Sequence, residues 1–155
     1  MKNLFYFCFV FAVSLLSCTK DQEKDIPHVK EEITIYNKTG TAKAYCSYPT
    51  DDESIIYLWN GTPVAYLMSG NNEIYGFNGK HIGWQHEGIY YNLTGKRTGF
   101  EQDALPGVET LPEPAKEIKE VMPVKEIRQF PFAQHIYSVD WSEESIEDWL
   151  LSGRA

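Results

Sequence analysis

The chain has 155 residues, with 14 Lys and Arg against 22 Asp and Glu, and a formal charge of −8. This length fits one ordinary domain. The acidic balance argues against a protein that binds nucleic acid, which needs Lys and Arg against phosphates, and against adsorption to anionic lipid by charge.

The first 17 residues have the pattern of a secretory signal peptide. Lys2 supplies a positive start, and the apolar run at residues 4–16 is shorter than the roughly 20 residues that span a bilayer. The run ends in Leu15-Leu16-Ser17-Cys18, which resembles a bacterial lipobox. The resemblance implies that Cys18 becomes the first mature residue and carries lipid on its sulfur and an acyl chain such as palmitate on its amine. The alternative is an ordinary cleaved signal peptide.

Residues 18–32 are predicted to form a flexible polar tether behind this anchor. Thr19-Lys20-Asp21-Gln22-Glu23 resembles the surface-export signal of Bacteroidetes lipoproteins. We therefore expect a lipoprotein of the bacterial cell envelope, held at the outer membrane and exposed on its surface. Cys46 is then the one cysteine left for the fold, and its neighbours predict a small core residue rather than a nucleophile.

Four segments within residues 33–100 align without gaps around a glycine. Each reads Ile or Tyr, Tyr, three variable residues, Gly, three variable residues, Ala or Gly, and then an aromatic residue. Asn60-Gly61 and Asn78-Gly79 predict two-residue type I′ turns, because both centres of that turn need positive φ. Each segment is therefore a β-hairpin, and in the second one a two-residue loop pairs Tyr57 with Val64.

Each predicted hairpin has an aromatic face and a face with one small residue. The small position recurs in all four copies, as Ala44, Ala65, Gly83 and Gly99. A fixed small site indicates close approach of neighbouring copies. We infer a mainly β fold of four hairpins around a pseudo-fourfold axis, with the small face near the axis.

The motifs Ile-Tyr-Leu-Trp-Asn-Gly at 56–61, Ile-Tyr-Gly-Phe-Asn-Gly at 74–79 and Tyr-Asn-Leu-Thr-Gly at 91–95 resemble the 4-fold beta-flower domain. The resemblance covers residues 33–100. It implies a fold and carries no activity, catalytic residue or cofactor. Trp141-Ser142 and the acidic end that follows are similar to the tail of such proteins. The first copy departs from the pattern, because Lys38 and Lys43 replace apolar face positions.

Residues 101–140 contain five prolines, at positions 106, 112, 114, 123 and 131, which predict an extended strap or linker. Within it, residues 115–122 are compatible with a short helix.

Residues 141–155 predict a helix with Ser142 as its N-cap and Trp141 and Ile146 at hydrophobic-staple positions. We favour docking of this helix onto its own barrel over binding to a partner. The excess negative charge lies in residues 101–155, which carry five basic and twelve acidic side chains. Residues 33–100 carry five of each.

Motifs for catalysis are missing from the sequence: there is no nucleophile elbow, phosphate-binding glycine loop, CxxC or HExxH. His81, His86 and Glu87 could supply three zinc ligands, but they straddle a strand end, so we expect no metal and no cofactor.

We therefore predict a non-enzymatic interaction or scaffold module, attached to the membrane through Cys18, with an envelope protein or a glycan as partner and no nucleic acid. One alternative is a module that binds a glycan or small ligand through exposed aromatic residues, namely Trp59, Tyr66, Trp84 and Tyr91. The other, less favoured, is a hydrolase that uses His81, His86 and Glu87.

Overall fold

The structure is a computed structural model that describes residues 31–48 and 52–154. Within these ranges the chain forms eight strands and one helix. The elements are β1 (Ile33–Tyr36), β2 (Ala42–Ser47), β3 (Glu53–Leu58), β4 (Pro63–Met68), β5 (Glu73–Gly76), β6 (His81–His86), β7 (Ile89–Asn92), β8 (Arg97–Glu101) and α1 (Ile146–Leu151). The signal peptide, Cys18 and most of the tether lie outside the described residues.

The strands form a closed barrel in chain order, and every pair is antiparallel. β1 closes the barrel against β8, where Ile35 faces Glu101 and Tyr36 faces Phe100. The predicted mainly β fold of four hairpins is therefore confirmed. Closure removes the free sheet edges that a row of separate hairpins would expose.

The predicted two-residue turns are wrong. In the second hairpin Leu58 N–H donates to Thr62 O, Gly61 N–H donates to Leu58 O, and Gly61 has φ of 83°. This is a three-residue loop, in which a type I turn is followed by a left-handed glycine. Consequently Tyr57 pairs with Pro63 rather than Val64. Asn60 needs no positive φ here, and its side chain accepts from Thr62 N–H.

The small position of each repeat faces the barrel interior, and helix α1 fills the space it leaves. An ideal Cβ on Gly83 would lie 3.0 Å from the Trp149 ring, and one on Gly99 would lie 2.5 Å from Ile146 Cδ1. Trp149 Nε1 donates to Ile82 O at 3.0 Å inside the barrel. The small face therefore makes room for the C-terminal helix and, as predicted, for the neighbouring hairpin, because the same Cβ would lie 2.0 Å from Tyr91 O at Gly83 and 2.9 Å from Ile35 Cγ2 at Gly99.

Helix α1 begins three residues later than predicted. Its N-cap is Ser145, whose Oγ accepts from Asp148 N–H. Ser142 is held against β8 instead, because its N–H donates to Arg97 O and Arg97 N–H donates to Asp140 O. The helix docks onto its own barrel as expected, and Lys43 of the first hairpin forms an ion pair of 2.6 Å with its Glu147.

Candidate functional site

The strap, residues 101–140, passes the tips of the four hairpins and contacts each in the same way. Four strap N–H groups donate to the carbonyls of the hairpin glycines Gly40, Gly61, Gly79 and Gly95 at 2.8–2.9 Å. An ideal Cβ on these glycines would lie only 2.0–2.5 Å from a strap carbonyl oxygen. The glycines also have φ between 73° and 83°. Each hairpin tip therefore needs glycine for its turn and for the strap.

The strap is itself a repeat of nine residues, which our sequence analysis missed. The four donors are Leu111, Glu120, Gln129 and Ser138, at a spacing of nine. The repeats run over residues 106–114, 115–123, 124–132 and 133–141, one for each hairpin. The signal in the sequence is weak but visible, as Ala-Lys-Glu-Ile at 115–118 and Val-Lys-Glu-Ile at 124–127. Residues 115–122 are extended rather than helical, because the N–H groups of Glu117 and Glu120 donate to the hairpin tip.

Under the strap lies an aromatic belt, with one outward-facing ring on each strand. Every member is at most 6% exposed, and the strap covers part of the belt. The belt consists of Tyr36, Tyr45, Tyr57, Tyr66, Tyr75, Trp84, Tyr91 and Phe100. A belt outside a barrel needs such a cover, since large aromatic side chains are otherwise left in water.

The cations of the strap point inward over this belt. Lys116 Nζ lies 4.5 Å from the ring centre of Tyr45, and Lys125 Nζ lies 4.6 Å from that of Tyr66. In the same two repeats Lys119 lies over Tyr57 and Arg128 lies over Tyr75, at 5.1 and 5.5 Å. Such contacts contribute about 0.5–1 kcal/mol each at partly exposed sites. The repeat therefore places a positive charge at the same place on successive hairpins.

Carboxylates just before β1 and at the start of β3 complete these inward contacts. Glu32 accepts from Lys116 at 3.0 Å and from Lys119 at 2.5 Å, and Glu53 pairs with Lys125. Burial acts to raise the pKa of Glu32, but the hydrogen bonds from the two lysines outweigh it and lower that pKa below its usual value. Burial, assisted by Glu32, raises the pKa of Tyr45 to about 12.

Aromatic rings of the strap also contact the barrel, and in the fourth repeat one of them replaces a cation. Tyr137 stands nine residues after Arg128 and stacks on Tyr91, with ring centres 4.1 Å apart. In the third repeat Phe132 stacks on His81, and its N–H donates to His81 Nδ1 at 3.2 Å. The strap thus contacts each hairpin through its backbone, while the side chains change from repeat to repeat.

The outer face of the strap carries an apolar ridge. Its seven members are each between 73% and 96% exposed, and Ile118, Ile127 and Ile136 occupy the same place in three successive repeats. The apolar ridge consists of Ile118, Val121, Val124, Ile127, Phe130, Ile136 and Val139. Apolar surface of this extent on a soluble protein is typical of an interaction site.

A family model described as 4-fold beta flower protein matches residues 33–150. The chain belongs to the 4-fold beta flower family. No curated protein matches the chain, and no solved structure matches it. The match extends past the four hairpins to the strap and most of helix α1, so both belong to the beta flower.

The four aromatic residues considered for ligand binding lie near or under the strap of the beta flower. Tyr66, Trp84 and Tyr91 are 2%, 3% and 5% exposed. Trp59 is partly exposed at a hairpin tip, and its Nε1 donates to Pro114 O of the strap. Three of the four therefore offer no open ring face while the strap is in place.

His81, His86 and Glu87 do not form one site. His81 is 1% exposed within the belt, and burial lowers its pKa. His86 and Glu87 have side chains that are 48% and 84% exposed, with 3.9 Å between their nearest nitrogen and oxygen. Among the described residues, no three His, Cys, Asp or Glu side chains are grouped to hold a metal ion. The same residues contain no helix of the length and apolarity that a membrane crossing requires.

Cys46 lies inside the beta flower barrel in a polar network. Its Sγ is 3.2 Å from the hydroxyl of Tyr90, and that hydroxyl donates to Glu101 at 2.9 Å. Gln85 donates to the same carboxylate oxygen. Burial, followed by the nearby Cys46 and Glu101, raises the pKa of Tyr90 well above its usual value. The network is a hydrogen-bonded part of the core, which fits a structural role for the thiol.

Proposed function

We propose that this beta flower is a non-enzymatic interaction module of the bacterial cell envelope and that lipid on Cys18 holds it at the membrane. The apolar ridge of its strap is the surface that binds a partner. The observation that carries the proposal is the exposure of the ridge, where Ile127 and Phe130 are each 96% exposed. Exposed apolar surface is costly in water unless a partner covers it.

Two further features support a binding surface on the outside of the molecule. The barrel interior is filled by helix α1, with Ile146, Trp149 and Leu150 buried among the strand residues. An eight-stranded barrel is only wide enough for such a filling or for one small ligand. The belt outside the barrel is covered in part by the strap. Among the described residues, most of the exposed large apolar side chains then lie on the strap, where another molecule can meet them.

Photocrosslinking in intact cells tests the proposal. A benzophenone amino acid replaces Ile127 on the ridge in one variant of the full chain and Glu87 in another, because the Glu87 side chain is 84% exposed in the turn between β6 and β7. We expect a reproducible adduct of discrete mass from position 127 and none from position 87. Identical adduct patterns from the two positions, or none from either, would contradict the proposal.

The glycan-binding alternative requires a different state of the molecule. Tyr66, Trp84 and Tyr91 could stack on a sugar ring only after the strap moved away from the belt. Such movement breaks the hydrogen bonds to the hairpin glycines and the contacts of Lys116 and Lys125. The apolar ridge needs no such rearrangement, and for this reason we prefer the interaction module.

A further inference from the structure

Charge is sorted between the two faces of the strap. Lys116, Lys119 and Lys125 turn inward, where they lie over tyrosine rings and pair with Glu32 or Glu53. Arg128 likewise lies over Tyr75. The positive charges of the second and third repeats are therefore already engaged by the barrel.

Two acidic residues of the same repeats are left on the outer face. Glu117 and Glu126 are exposed and stand directly before Ile118 and Ile127 of the apolar ridge. Glu120 is instead engaged by the fold, because its carboxylate accepts from Thr62 Oγ1 at 3.2 Å and lies 3.6 Å from Arg154. The outer face thus alternates carboxylates with apolar side chains, and a complementary surface alternates cations with apolar side chains.

The ridge is long and curved, which restricts the shape of what can cover it. It follows the strap past the tips of three successive hairpins of a closed barrel. A rigid flat surface touches a curved ridge at one place, whereas an extended segment can follow it. Of the nine residues in each of the last three strap repeats, between one and three donate a backbone N–H to the barrel. The backbone of an extended segment could form hydrogen bonds with strap residues that do not donate to the barrel, as in strand addition.

The acidic outer face disfavours two other occupants. A second copy of this chain would bring Glu117 and Glu126 against the same carboxylates, which costs free energy. An anionic lipid surface would repel them in the same way. The complement is instead a positively charged polypeptide.

We infer that the apolar ridge binds an extended segment of a partner protein in which Lys or Arg alternates with apolar residues. The inference rests on the proposed function, because it names the chemistry of the partner for the same ridge. The apolar residues of the segment cover Ile118, Ile127 and their neighbours, and its cations face Glu117 and Glu126.

Fluorescence anisotropy with two synthetic peptides tests the inference on the full mature chain. Both peptides have about 18 residues, the length of two strap repeats, and alternate Val with Lys in one and Val with Glu in the other. We expect the Lys peptide to bind at least about tenfold more tightly than the Glu peptide, since Glu117 and Glu126 attract the cations of the first and repel the carboxylates of the second. Equal binding of the two, or no binding of either, would overturn the inference.

Variants locate the binding. The triple variant Ile118→Ser, Ile127→Ser, Ile136→Ser should lose the Lys peptide, whereas Leu111→Ser, in the strap but outside the ridge, should keep it. The pair Glu117→Gln, Glu126→Gln should weaken binding several-fold and reduce its salt dependence. These side chains are exposed, so the thermal midpoint checks that each variant is folded. Retention of binding by the triple variant would place the peptide elsewhere and refute the inference.

Two more measurements separate the other occupants. Analytical ultracentrifugation tests for a dimer, and flotation of the Cys18→Ser chain, which carries no lipid of its own, with vesicles of phosphatidylcholine tests for a lipid surface. If the chain forms a dimer or binds vesicles, and the triple serine variant does not, then a second copy or a lipid surface covers the ridge. Either result would overturn the inference. If photocrosslinks form at position 127 while the Lys peptide fails, the proposed function stands and only the inference falls.

Discussion

Ile146 of helix α1 occupies the space that a side chain on Gly99 of β8 would need, because an ideal Cβ there would lie 2.5 Å from Ile146 Cδ1. The helix is thus fitted to the barrel at the one position that every hairpin keeps small. This fit makes the helix an integral part of the core rather than an appendage.

Gly99→Ala should therefore destabilise the protein by about 1–3 kcal/mol, the usual cost of overpacking a core. Adding Ile146→Val, which removes Cδ1, should restore part of the loss, although Ile35 and Tyr36 also lie close to the new methyl group. Urea unfolding of the two single variants and the double variant measures the coupling. Gly70→Ala is the control, since nothing lies within 4 Å of its new Cβ. Equal losses at positions 70 and 99 would contradict this account.

Gly61→Ala tests the contact between a hairpin tip and the strap. Gly61 has φ of 83° and faces Ile118 O, whereas Gly107 has φ of 82° with nothing within 4 Å. Both alanine variants should lose about 1–2 kcal/mol through the left-handed backbone. Gly61→Ala should lose more, and hydrogen exchange at the Glu120 amide, which donates to Gly61 O, should become faster. Similar losses in the two variants would mean that the strap contact adds nothing.

His81 should make the stability of the barrel depend on pH. Burial lowers the pKa of His81 from its usual 6.5, an effect that the nearby Glu73 opposes. The unfolded chain then binds the proton first, so the contribution of His81 is complete above about pH 6.5 and is lost as the pH falls towards its folded pKa. The expected slope is at most about 1.4 kcal/mol per pH unit.

Chemical unfolding at pH 7.5 and 5.5 measures this dependence in three proteins. The decline should be smaller in His81→Phe than in the original protein. It should persist in His86→Gln, because the side chain of His86 is 48% exposed. An undiminished decline in His81→Phe would assign the effect to another group.

Cys18→Ser should release the protein from the membrane fraction, because the lipid would lose its attachment point. Fractionation of cells followed by immunoblotting measures the distribution. Cys46→Ser is the matched control and should stay with the membrane, since Cys46 lies inside the barrel. Membrane retention of Cys18→Ser would remove the anchor from the proposed function.

The hairpins could be predicted from the sequence because their signal is carried by side chains. Each of the four hairpins has the same steric requirements. These requirements fix a glycine, an aromatic residue and a small residue at the same places in every copy. The turn type was mispredicted since Asn-Gly is compatible both with a two-residue loop and with a longer loop that has glycine in third place. The register shift at Tyr57 and Pro63 follows from that difference.

The strap was harder to predict because backbone groups carry its contacts. Leu111, Glu120, Gln129 and Ser138 share no side-chain chemistry, and what they share is an N–H group opposite a hairpin glycine. The cations above the belt repeat in two of the four repeats only. The start of helix α1 was misplaced for a similar reason, since the backbone of Arg97 holds Ser142 against β8.

The position of helix α1 also sets the order in which this molecule can be completed. Ile146, Trp149 and Leu150, which fill the barrel, leave the ribosome after all eight strands. Until they arrive, the eight strands enclose an unfilled space, and their closing pair joins distant parts of the chain. Such a chain stays incompletely folded until the helix has been made. That is the state in which a polypeptide can still be threaded across a membrane.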